Sequence, residues 1–112
     1  MKIRYIYSYV PVHTATSIVF RKQPVACVAC YEGNIGVSIK NPKDKHFSKK
    51  RAREIAEGRA MINHKHEIPN AKIYIKTEGD IVVYNNTVLY PYKRIHLRDA
   101  VAFTASKLAG NS

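Results

Sequence analysis

The chain has no tryptophan, two cysteines, five glycines and five prolines in 112 residues, and it is short of acids, with 8 Asp+Glu against 19 Lys+Arg. Two cysteines do not make a disulfide framework. The start MKIRYIYSYVPVHT has no apolar leader followed by a small-residue cleavage site, so a reducing cytoplasm is the expected compartment. Little Gly and Pro beside 46% hydrophobic residues excludes collagen-like and disordered chains. No apolar run approaches the ~20 residues that span a bilayer, so no membrane partner is expected. A chain of this length is expected to form a single domain over residues 1–112. The shortage of acids leaves a formal charge of +11. A surface so positive draws anions through long-range, salt-screened forces, which makes nucleic acid or an acidic protein the expected partner.

Hydrophobic periodicity predicts an α+β fold. Residues 2–10 alternate, with Ile3, Tyr5, Tyr7 and Tyr9 on one face, and Pro11 predicts the end of that strand. Residues 16–21 and 25–31 read as two strands joined tightly through Lys22-Gln23-Pro24, and Glu32-Gly33-Asn34 predicts a second hairpin into 35–39. From Ser48, a candidate N-cap, Ala52, Ile55, Ala56, Arg59 and Ile62 recur at helical spacing and predict a central helix over about 49–63. Gly58 inside it is expected to serve close packing against the sheet. Residues 72–76 alternate again, Glu78-Gly79-Asp80 supplies a turn, and 81–84 continue as a strand that Asn85-Asn86 folds back onto 88–90. Leu97, Val101, Ala105 and Leu108 predict a C-terminal helix over about 98–109, closed by Gly110. The expected architecture is an antiparallel sheet, an N-terminal meander of three or four strands plus C-terminal hairpin strands, packed against these two helices.

The positive charge is concentrated. Residues 40–53 contain Lys40, Lys43, Lys45, Lys49, Lys50, Arg51 and Arg53 against one acid, Asp44, which is about half of the net charge in one-eighth of the chain. Lys49, Lys50 and Arg51 fall in the first turn of the predicted helix, where the helix dipole is already positive and natural helices favour acids. Such a turn becomes favourable when a phosphate or carboxylate docks on its free N–H groups. These seven cations are therefore the candidate nucleic-acid-binding residues, with a solvated basic face as the alternative.

The stretch Asn41-Pro-Lys-Asp-Lys-His-Phe-Ser-Lys-Lys-Arg-Ala-Arg-Glu-Ile-Ala-Glu-Gly-Arg-Ala60 resembles a segment of small, mostly uncharacterised bacteriophage-encoded proteins, in which a β-hairpin leads into P-K-D-x-F-x-[KR]-K-x-[GA]-R-x-I-A-x-G-R. The resemblance covers about twenty residues. Here one extra residue separates Asp44 from Phe47, and Ala52 stands where Gly is common. The resemblance implies an accessory or host-takeover protein rather than an enzyme, and it brings no catalytic residues.

Other candidates carry both a structural and a chemical reading. Arg59 on a buried helical stripe is expected to pair with Glu32, with Asp80 or with chain-end carbonyls, or else to hold an anion. Cys27 and Cys30, with His64 and His66, have the residue types of a zinc site or a redox pair. A regular strand would turn the two thiols to opposite faces, which favours buried small residues, and neither a metal nor another cofactor is expected. Tyr5, Tyr7 and Tyr9, with Lys2 and Arg4 behind them, either pack against a helix or stack single-stranded bases. Tyr84, Tyr90 and Tyr92 beside Lys93 and Arg94 form a second cluster of that kind. Catalytic motifs are lacking: His13, His46, His64, His66 and His96 are scattered, and there is no nucleophile elbow, phosphate-binding loop or dinucleotide fingerprint. The expected function is binding of nucleic-acid phosphates without catalysis. The alternatives are an inhibitor of an acidic or nucleic-acid-processing host protein, and a small metal-free RNase with His46 as base.

Overall fold

The computed structural model of the chain describes residues 1–41, 46–65, 67–76, 82–84, 87–89 and 91–110. Strands β1 (Lys2–His13), β2 (Ile18–Tyr31) and β3 (Asn34–Ile39) form an antiparallel meander in the order β1-β2-β3. Helix α1 (Lys49–Met61) follows, then β4 (Lys72–Lys76), β5 (Val82–Tyr84), β6 (Thr87–Leu89), β7 (Tyr92–His96) and α2 (Leu97–Leu108). β4 pairs with β7, and β5 pairs with β6, both antiparallel. The fold is α+β, as the periodicity predicts.

β2 is the central strand and is covered on both faces, which is why VACVAC reads as an unbroken apolar run. Alternate residues serve different layers. Cys27 and Ala29 pack on Ala52, Ala56 and Ala60 of α1. Ala26 and Val28 join Ile6, Val37, Ile73, Leu97, Ala100 and Val101 on the opposite face. The sheet is thus held between α1 on one side and α2 with the β4–β7 pair on the other.

α1 lies close to the sheet because its buried stripe is entirely alanine. The approach is closest at Gly36 of β3, where an added Cβ would overlap the carbonyl oxygen of Ala56 and the backbone nitrogen of Ala60. Gly58, expected to take that role, is exposed with open space around its Cα. Ile62, expected on the buried stripe, is 74% exposed, because the stripe runs through Ala60 instead. α1 ends in a Schellman arrangement: Asn63 takes a positive φ of 52° and donates to Ala60, while His64 donates to the Arg59 carbonyl. In α2, Gly110 closes the helix at φ +87°, as predicted.

Proline placement departs from expectation twice. Pro11 lies inside β1 opposite Phe20, since β1 is an edge strand and a missing N–H there need not interrupt the ladder. Lys22-Gln23-Pro24 does not turn the chain. The register slips at Ile6/Tyr7, so that Ile6 faces Ala26 and Tyr7 faces Pro24, and β2 carries a bulge that accommodates the proline. The first hairpin instead turns at Thr14–Ser17, where the Thr14 amide and hydroxyl both donate to the Ser17 carbonyl. The second turns at Glu32-Gly33, both at positive φ, as predicted. β7 has no counterpart in the sequence reading. The expected turns at Glu78–Asp80 and Asn85-Asn86 lie outside the described residues.

Candidate nucleic-acid interface

The amino end of α1 is built as the sequence requires. Ser48 adopts an extended conformation and its hydroxyl accepts from the Arg51 amide at 3.3 Å, capping one of the free N–H groups. There is no acid in the first turn. The amides of Lys49 and Lys50, in the first helical turn, have no intrahelical acceptor. Beside this end lies a hollow of about 160 Å³ whose lining includes Lys40, Asn41, His46, Ser48 and Arg51. Its volume corresponds to about five waters, room for a tetrahedral oxyanion. Lys40 lines it from the end of β3, where its backbone N–H donates to the Val25 carbonyl at 2.9 Å.

The seven sequence candidates divide. Lys40 and Arg51 line the hollow, and Lys50 is exposed on the adjoining surface. Lys49 turns away from it toward β1: its Nζ donates to the Tyr7 hydroxyl at 2.7 Å and lies 5.1 Å from the ring centres of both Tyr5 and Tyr7. The Tyr5 hydroxyl in turn donates to the Lys49 carbonyl at 3.1 Å. The bond to Tyr7 holds the Lys49 ammonium above the ordinary lysine range, whereas partial burial raises the Tyr5 phenol. Arg53 is matched along the helix by Glu57, Nε to Oε1 at 2.6 Å. Lys43 and Lys45 lie outside the described residues.

The tyrosine row and the cationic helix start, separate features in the sequence, are therefore one surface. Lys22 extends it, with Nζ 4.4 Å from the Tyr7 ring centre. Tyr9 contacts Tyr92 at 5.2 Å, and Tyr92 stacks on Phe20 at 3.9 Å. The second aromatic cluster is thus tied to the first through Tyr92; Tyr90 and the side chain of Tyr84 lie outside the described residues. The signal in the sequence was the shared period of Tyr5 and Tyr7, but their partner stands more than forty residues away.

Arg59 fixes helix to sheet, as expected of its place in the stripe, but through a different partner: its Nη1 donates at 2.7 Å to the Val37 carbonyl inside edge strand β3, not to Glu32 or a chain-end carbonyl, and Asp80 lies outside the described residues. Cys27 and Cys30 are free thiols, both buried, on opposite faces of β2. Burial pushes the Cys27 thiol up to about 11, with Glu57 adding to the effect, so the free thiol stays protonated at neutral pH. His66 lies outside the described residues, and no group of three or more His, Cys, Asp or Glu is placed to hold a metal among those described. No helix among the described residues is long and apolar enough to cross a membrane. The chain matches no family model, no curated protein and no solved structure.

Proposed function

We propose that the chain binds nucleic acid through its phosphates, without catalysis, on the surface around the amino end of α1. The observation that carries this reading is the hollow in which Lys40, His46 and Arg51 meet a helix start with no acidic residue. An anion there relieves the mutual repulsion of the cations and accepts from helix amides that have no internal partner. Lys50 extends the contact along a polyanion, and Lys43 and Lys45, near it in sequence, add to the positive charge of the segment. No carboxylate lines the hollow among the described residues. The resemblance of residues 41–60 to phage-encoded segments supports an accessory role, and the site of action in this reading is the cytoplasm, that of a host cell for a phage-encoded chain.

Fluorescence anisotropy with labelled oligonucleotides tests the reading. Lys50→Glu combined with Arg51→Glu weakens binding at least tenfold, while Lys72→Glu on β4 has a small effect. Equal losses in both variants would mean that only the overall charge matters. A pull-down from nuclease-treated lysate separates a second class of partner: one stoichiometric acidic protein surviving nuclease treatment would replace this reading with that of a protein-directed inhibitor.

A further inference from the structure

A groove of about 690 Å³ runs beside the unpaired edge of β1, within the size range of about 300–1,000 Å³ typical of ligand clefts. Tyr5, Tyr7 and Tyr9 line it from β1, and Phe103 lines it from α2. Phe103 is 63% exposed, a large aromatic ring left in water on a helix whose Leu97, Ala100 and Val101 are buried. Each aromatic wall carries an ammonium group. Lys107 Nζ stands 4.8 Å from the Phe103 ring centre, and Lys22 and Lys49 flank Tyr7. Arg4 adds a further cation, and Asp99 is the one carboxylate among the lining residues.

Flat rings alternating with cations match a ligand that alternates flat rings with anions. In a duplex the base faces are hidden by their neighbours, whereas a single strand offers each face for stacking and keeps a phosphate beside it. We infer that this groove is a binding site for single-stranded nucleic acid, with a base stacked on Phe103, phosphates paired with Lys22, Lys107 and Arg4, and the β1 tyrosines forming the opposite wall. The inference rests on the nucleic-acid reading above and deepens it. Lys49 joins the two regions, its backbone in the first turn of α1 and its ammonium on the Tyr7 hydroxyl, so a strand leaving the groove meets the α1 cations. An acidic peptide would satisfy the cations and leave Phe103 without a partner of matching shape.

The test is anisotropy with a labelled oligothymidylate and with a duplex of equal length, on the wild type, Phe103→Ala and Lys107→Gln. Both substitutions are on exposed positions, and unchanged thermal melts verify the fold. The expected result is tighter binding of the single strand, a roughly tenfold loss in Phe103→Ala for the single strand alone, and a salt slope smaller by about 0.7 in Lys107→Gln. With eight tyrosines and no tryptophan, the intrinsic emission of the chain comes from tyrosine, three of which wall the groove, and the single strand quenches it. Wild-type affinity in Phe103→Ala overturns the inference and leaves phosphate binding at α1 standing, whereas competition by polyglutamate equal to that of the oligonucleotide overturns both. Binding of neither strand form overturns both.

Discussion

Lys49 shows how a single side chain changes the meaning of a charge run. In the sequence it is one of three consecutive cations at a helix start, and in the fold its ammonium is turned through the tyrosine row to the Tyr7 hydroxyl. Replacing Tyr7 with Phe removes that acceptor, so the Lys49 pKa falls toward the ordinary lysine value; a side-chain nitrogen NMR titration would detect it, and an unmoved titration would mean that the bond is not maintained in solution. Cys27 makes a second prediction. Its pKa rises on folding from 9.0 to about 11, so folding favours the protonated thiol. The stability from that preference is complete below pH 9 and is lost as pH rises through about 11. Chemical denaturation across this window should show falling stability, with a shallower fall in Cys27→Ala. Equal slopes would place the thiol in a wetter environment than the cluster formed with Ala29, Ala52 and Ala56.

Elements driven by their own periodicity were legible, and those decided by distant partners were not. The alternation of β1, the stripe of α2 and the Gly110 cap follow from local spacing. β7 was missed because Tyr-Lys-Arg-Ile-His has no clean alternation of apolar and polar residues; its pairing with β4 makes it a strand. Pro24 looked like a chain reversal because prolines usually interrupt central strands, and only the bulge opposite Tyr7 explains its place there. The glycine that matters for helix–sheet contact is Gly36 on the strand rather than Gly58 on the helix, since spacing alone does not say which partner must be small. Gly36→Ala should destabilise the fold by about 1–3 kcal/mol in denaturant melts, while Gly58→Ala, in an exposed helix interior, should stabilise it by up to ~1 kcal/mol. A neutral Gly36→Ala would contradict the close approach of α1. On α1 itself, Glu57→Gln releases Arg53 from its ion pair. Affinity for duplex DNA should rise, with a salt slope steeper by about 0.9; no change would mean that Arg53 does not face the bound polyanion.

The described residues span 52 × 33 × 21 Å, and charge and burial are unevenly spread over them. Residues 11–19, the far end of the first hairpin, are exposed throughout and contain no Lys, Arg, Asp or Glu. Limited proteolysis should cut first within this span, which buries no side chain; cleavage first within α1 would contradict the packing of its alanine stripe. Lys40 and Arg51 line the hollow at the amino end of α1, and Arg4, Lys22 and Lys107 line the groove. About half of the net charge was traceable in the sequence to residues 40–53. That Lys49 would link this segment to the β1 tyrosines was not, because the contact spans forty-two residues. Salt dependence tests the central claim most directly. If about five phosphates are neutralised, log K against log salt should have a slope near −4.5 on a duplex and near −3.5 on a single strand, and Lys50→Gln with Arg51→Gln should reduce the duplex slope by about 1.8. Affinity indifferent to salt, or an unchanged slope in the double variant, would contradict phosphate binding at the amino end of α1.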